Sequence, residues 1–209
     1  SVFPVEIKSS AMISDQVLLQ NPELPVGCEI TSLTNLLNYY GYGVSKTFMA
    51  DNILSINTTR KTSNRTVYMA NPWEIFVGNP RVAKNGYGCY SPVITNAANT
   101  YLSSANSTKQ AYNITGSTPA QLYSNLLSGN PVVVWATMEM VAPTYNTKWI
   151  DIHSGKRIQW IGKEHCLVLI GVTDTTVTMM DPLLGIESYN RSLFELRYNQ
   201  VGRQAVIIH

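Results

Sequence analysis

Charge is scarce in this sequence: Asp, Glu, Lys and Arg make up only 13% of its 209 residues, where about 25% is usual. The 15 basic and 13 acidic residues leave a formal charge of +2, and Lys and Arg nowhere form a run. A disordered, highly charged tail is thereby excluded, and no electrostatic footprint for nucleic acid or an anionic membrane is present. Long apolar runs are lacking too. No stretch approaches the roughly 18 consecutive apolar residues that a spanning helix needs, so stable membrane insertion of this chain is not expected. Cysteine is sparse and odd in number, with Cys28, Cys89 and Cys166 well separated and no Cys-x-x-Cys pair. That excludes a disulfide framework and a structural zinc site. At most one bridge can form, Cys89 with Cys166 being the conceivable pair, so at least one thiol stays free. No metal-ligand cluster of proper spacing and no phosphate-binding glycine loop is found, and neither a metal nor a cofactor is expected.

What is present is an apolar fraction of 44%, with Asn, Thr, Ser and Tyr keeping the surface wet without charge. Sequons at Asn57, Asn64, Asn106, Asn113 and Asn190 follow from that Asn/Thr richness. Length divided by about 150 gives between one and two domains. With no internal repeat, low-complexity tract or linker, residues 1–209 read as one domain with two lobes. The chain starts at Ser1 without Met, as a mature or trimmed protein would.

Periodicity divides the chain into helices followed by strands. Residues 2–7 read as a short strand, and Asn21-Pro-Glu-Leu-Pro25 as an extended loop, because proline biases its predecessor away from helix. From Cys28, the residues Ile30, Leu33, Leu36, Leu37 and Tyr40 recur at helical spacing, and Gly41 stands where a left-handed cap belongs. A second short helix is expected from Ser45, with Phe48, Met49 and Ile53 on one face. Residues 57–88 read as mostly irregular, anchored by Trp73 and Phe76. Helices follow over residues 91–104 and from Thr118-Pro-Ala-Gln121, a capping box with proline at the first helical position, to Gly129. Residues 132–138, 166–172, 177–181 and 205–208 are rich in β-branched and other apolar types and read as strands. One helix, about residues 192–198, interrupts them. This order argues for an α+β fold.

Cys28, between Gly27 and Glu29, opens the strongest amphipathic helix. A helix N-terminus offers unpaired N–H groups and a partial positive charge, which lower a thiol pKa and can hold an oxyanion. Of the three histidines, His209 is terminal and His153 lies in a loop-like stretch. His165 immediately precedes an apolar strand that would hold its imidazole rigidly. The next strand runs into Asp181-Pro182. If the two strands pair as a hairpin through residues 173–176, the Asp181 carboxylate comes beside the His165 imidazole, fixing its tautomer. An oxyanion hole would combine the Cys28 N–H with an upstream amide, and Gln20 and Gln16 are both candidates. Cys166 is assigned to the core, because neighbours on a strand alternate faces. Trp73, Tyr87, Tyr90, Trp135, Trp149 and Trp160 serve either a cleft or the core.

The blocks Gln20-Asn-Pro-Glu-Leu-Pro-Val-Gly-Cys28-Glu-Ile-Thr-Ser-Leu, Leu36-Leu-Asn-Tyr-Tyr-Gly41, Gly86-Tyr-Gly-Cys-Tyr90, Gly129-Asn-Pro-Val-Val-Val-Trp-Ala-Thr137, Glu164-His-Cys-Leu-Val-Leu-Ile-Gly171 and Met180-Asp-Pro-Leu-Leu-Gly185 together resemble the C39-like peptidases. This group is a branch of the papain-like cysteine peptidase fold. The resemblance covers nearly the whole chain. It implies a helical N-terminal lobe and an antiparallel β-sheet C-terminal lobe, with Cys28 as nucleophile, His165 as general base and acid, Asp181 as orienting residue and Gln20 as oxyanion donor. It also implies a peptide or cell-envelope substrate and an extracellular or cell-envelope location in a bacterium, Gram-positive in type. The papain-type Cys-Gly-Ser-Cys-Trp signature is absent. Where bacteriocin-exporter peptidase domains carry Asp-Cys-Gly, this chain has Gly-Cys-Glu and a longer Gln-to-Cys loop. Three functions are compatible with these residues: a thiol hydrolase cleaving peptide or amide bonds, an acyltransferase or transpeptidase using the same acyl-enzyme, and a cell-envelope binding module without turnover.

Overall fold

Helix α1 (Cys28–Tyr39) forms where the apolar spacing predicts it, and Ile30, Leu33, Leu36 and Leu37 are all fully buried. Gly41 closes it in the left-handed region at φ +89°. In this computed structural model, which describes residues 4–6 and 16–209, α1 is enclosed on nearly every side. Three of its buried polar side chains find backbone partners: Ser32 Oγ donates to the Cys166 carbonyl at 2.9 Å, and Thr34 Oγ1 to the Ile30 carbonyl at 2.7 Å. Asn35 both donates to and accepts from the Leu18 backbone. These bonds satisfy Ser32, Thr34 and Asn35 inside the protein, whereas Thr31 Oγ1 and Glu29 Oε1 on the same helix are buried without a hydrogen-bond partner. A short helix at Lys46–Phe48, capped by Ser45, continues as a π-helical turn at Met49–Ile53. Met49 is buried there but Phe48 is 44% exposed, so the expected apolar face is only partly turned inward. The other helices are α2 (Ser91–Ser104), α3 (Pro119–Leu127), which has the expected Thr118/Gln121 capping box, and α4 (Arg191–Gln200).

In chain order the strands are β1 (Val5–Glu6), β2 (Ile56–Asn57), β3 (Lys61–Ser63), β4 (Thr66–Met69), β5 (Phe76–Val77), β6 (Ala111–Asn113), β7 (Val132–Thr137), β8 (Thr144–Asp151), β9 (Arg157–Gly162), β10 (Glu164–Val172), β11 (Thr176–Asp181), β12 (Gly185–Asn190) and β13 (Ala205–Ile208). The expected strand over residues 2–7 appears as β1 at Val5–Glu6; Pro4 is not part of it, and residues 2, 3 and 7 lie outside the described residues. The main sheet is antiparallel, ordered β12-β11-β10-β7-β13-β6, with β1 also pairing β10. Both faces of this sheet are covered. Alternation along β10 sends Cys166, Val168 and Ile170 into one core with α1 and α2, and Leu167 and Leu169 into a second core with α3 and α4. That is why β10, buried along its whole length, reads as a continuous apolar run and not as an alternating one.

Residues 57–88 differ from the irregular segment expected. They contain β3 and β4, joined by a two-residue turn in which Asn64 and Arg65 both have positive φ, 48° and 64°. β4 then pairs in parallel with β8, and β8 with β9, to form a second, four-stranded sheet. These strands are short or half-exposed and take partners far along the chain, so their local pattern is weak. Phe76 is fully buried, as an anchor should be, whereas Trp73 is 42% exposed. The chain is thus a mixed helix and sheet fold, with α1 seated across the middle of the main sheet.

Candidate active site

Cys28 is the first residue of α1, after Gly27. A side chain at position 27 would collide with Leu24, so glycine lets the loop fold tightly against the helix start. Cys28 lines a cleft of about 220 Å³ together with Gln20, Tyr87, Trp160, Glu164 and His165. The expected hairpin is present: Thr173 N–H donates to the Thr176 carbonyl at 2.8 Å, and Val168 pairs with Met180. This register brings His165 and Asp181 to one end, where His165 Nε2 lies 2.8 Å from Asp181 Oδ1 and both residues are buried.

Asp181 is held from several sides. Leu183 N–H donates to Oδ1 at 2.8 Å, and the Tyr189 hydroxyl donates to Oδ2 at 2.6 Å. Burial pushes this carboxyl up, but the His165 hydrogen bond and charge, the Tyr189 hydroxyl and the Leu183 N–H outweigh it and hold it below the usual carboxylate range. Tyr189 comes from β12, a strand the sequence pattern did not reveal.

Of the two amide candidates, Gln20 lines the cleft and is buried, while the exposed Gln16 lies beside Asn35, Asn38 and Tyr39, outside it. Gln20 is fixed at both ends: its N–H donates to the Pro182 carbonyl at 2.7 Å, and its side-chain Nε2 to the Pro25 carbonyl at 2.9 Å. The residue that follows Asp181 thus ties the amide loop to the hairpin. Tyr87, Tyr90, Trp149 and Trp160 form one aromatic cluster, with Tyr90 stacked on Trp160 at 5.5 Å and Trp149 on Trp160 at 6.0 Å. Trp160 and Tyr87 reach the cleft wall. Trp135 is core, its indole N–H donating to the Cys89 carbonyl at 3.1 Å.

The charge environment of Cys28 departs from what its helix position predicts. Burial pushes the thiol up, and the carboxyl groups of Glu29 and Glu164 and the Cys166 thiol push it further, against a hydrogen bond from the Cys166 N–H. The partial charge of a helix end acts within one turn, and here two carboxyl groups sit inside that range: Cys28, Glu29 and Glu164 place Sγ and a carboxyl oxygen each within 4.8 Å of one another. In the sequence Glu29 and Glu164 stand out only as neighbours of Cys28 and His165 in their motifs. The signal that they matter was their residue type, since Glu is almost never fully buried unless paired. All three cysteines are free and buried, so Cys89 and Cys166 are not bridged.

The class that this fold resembles is the C39-like family. The chain matches the family described as "Peptidase_C39 like family" over residues 14–206, and it belongs to that family. Among its relatives is the uncharacterized protein YvpB of Bacillus subtilis, 31% identical over 208 residues, with 97% of this chain and 78% of YvpB covered. Among solved structures, a candidate C39-like peptidase from Bacillus anthracis superposes with a TM-score of 0.81 at 30% identity, covering 100% of this chain and 98% of the other.

Proposed function

We propose that this protein is a cysteine peptidase of papain-like architecture, cleaving a peptide or amide bond through Cys28, His165 and Asp181. The observation that carries this reading is the buried His165–Asp181 pair at 2.8 Å beside a cleft that Cys28 also lines from a helix N-terminus. Asp181 occupies Nε2, which leaves Nδ1 as the ring nitrogen for the thiol proton. In the first step the Cys28 proton passes to Nδ1 while sulfur bonds to the substrate carbonyl carbon and the C=O electron pair moves to oxygen. The Cys28 N–H and the Gln20 amide donate to that oxygen. Collapse breaks the C–N bond, and the imidazolium returns its proton to the leaving amine. Water, deprotonated by His165, then attacks the thioester and releases the acid and the thiol. The substrate is a peptide or cell-envelope amide met outside the membrane. The main sheet with its helices forms one domain, and the lobes meet at the cleft.

The test is profiling with a thiol-directed probe followed by cleavage of a peptide library. Labelling of Cys28 that is lost in His165→Ala, together with cleavage that is lost in Cys28→Ala, is the expected result. Products that form only when an amine acceptor is added would instead make the protein a transferase, and selective labelling without turnover in any form would leave a binding module.

A further inference from the structure

Beneath the nucleophile lie two carboxyl groups that the proposed reaction does not use. Glu29 is fully buried and Glu164 is 8% exposed. Glu29 follows Cys28 on α1, and Glu164 precedes His165 on β10, on the face that β10 turns toward α1. Glu29 Oε2 accepts the Cys89 N–H at 3.0 Å. A side chain at Gly88 would collide with that same oxygen, so the backbone is shaped to admit it. One oxygen on each residue, Glu29 Oε1 and Glu164 Oε1, is buried with no hydrogen-bond donor.

Two ionised carboxylates this close and this dry repel each other and cannot both be charged. A single proton between them converts the repulsion into a hydrogen bond and provides a partner for both orphaned oxygens. Glu29, which already accepts a backbone N–H, is the member whose charged form is solvated by the protein. Glu164 is therefore the member that carries the proton.

We propose that Glu29 and Glu164 form an acid pair holding one proton, and that this singly charged pair positions the Cys28 thiol and sets the pH at which it becomes a thiolate. The inference rests on the reading of Cys28 as nucleophile. The titratable groups that act on the thiol are Glu29 on its own helix and Glu164 and Cys166 on β10, while His165 and Lys163 line the same cleft and Cys89, before α2, lies against Glu29. Of these, the pair is the nearest source of negative charge. Burial and the neighbouring Glu29 push the Glu164 carboxyl well above its usual range, as a shared proton requires.

Two conservative substitutions separate this role from simple packing. Glu164→Gln replaces the protonated acid by a neutral donor and leaves the Glu29 charge in place. Glu29→Gln removes the charge. The measurement is the iodoacetamide alkylation rate of Cys28 against pH, resolved by peptide mass spectrometry, on the full chain. The Glu164→Gln profile should match that of the native protein within about twofold, while Glu29→Gln should move it about one pH unit lower, a tenfold gain on the rising limb. If both variants shift it equally, or neither does, the pair does not act on Cys28. A readout on the native protein guards against a variant that fails to fold: the infrared carbonyl stretch of a protonated carboxylic acid should persist at neutral pH and vanish in Glu164→Gln. Its absence in the native protein overturns the shared proton. Failure of the underlying reading looks different, with Cys28 alkylated no faster than Cys89 and Cys166 at any pH.

Discussion

His165 Nε2 and Asp181 Oδ1 stand 2.8 Å apart on adjacent antiparallel strands, joined by a hairpin turn and closed off from solvent. A carboxylate so placed fixes which ring nitrogen carries the proton. Replacing Asp181 by Asn keeps the shape but lets the amide stabilise the opposite tautomer. Asp181→Asn should therefore lower kcat/KM on a cleaved peptide by about 10²–10⁴-fold, with the far-UV circular dichroism spectrum unchanged.

The same carboxyl contributes to stability with a definite sign. It is held below its ordinary range in the folded state, so its contribution is fully present above the unfolded value of about 3.9 and is lost as pH falls through the lower, folded value. Urea unfolding of the native protein and of Asp181→Asn should show a gap at pH 7 that narrows below about pH 4. A gap that widens on acidification would contradict the assignment.

Glu164 behaves in the opposite sense. Burial, with Glu29 alongside, raises its carboxyl well above the usual range, so the folded protein binds a proton that the unfolded chain releases. Stability from this group is full below about pH 4.3, the unfolded value, and declines as pH rises toward the folded one. Glu164→Gln, which does not titrate, should gain stability relative to the native protein as pH is raised from about 4 to 8, measured as the shift in urea midpoint.

The two glutamines upstream of Cys28 should separate cleanly. Gln20 lines the cleft and Gln16 does not. Gln20→Ala should reduce kcat by about 10²–10³-fold with a smaller change in KM, while Gln16→Ala should stay within about twofold on both. Equal effects would remove the amide from the oxyanion hole.

Legibility in the sequence followed locality. The start of α1 at Cys28, the capping box at Thr118 and the hairpin between β10 and β11 are set by residues within a few positions of one another, and all three were readable. β8, β9 and β12 were missed because half-exposed strands mix apolar and polar residues on both faces. Tyr189, which helps hold Asp181, was missed along with β12. For the thiol, the helix N-terminus is legible in the sequence but the carboxyls buried beneath it are not, and burial outweighs the dipole.

The sequence by itself determined where Cys28, His165 and Asp181 sit on their own elements, because helix periodicity, strand alternation and a short turn fix those positions. Only the tertiary structure decided what surrounds them. It put Glu164 against Glu29, set Gln20 in the cleft wall and Gln16 outside it, and gathered Arg65, Lys148 and Arg157 around one outer cleft of about 240 Å³ in a chain with no basic run. Each of these depends on which distant segments share a desolvated space, and desolvation, not local propensity, governs the charge of a buried group.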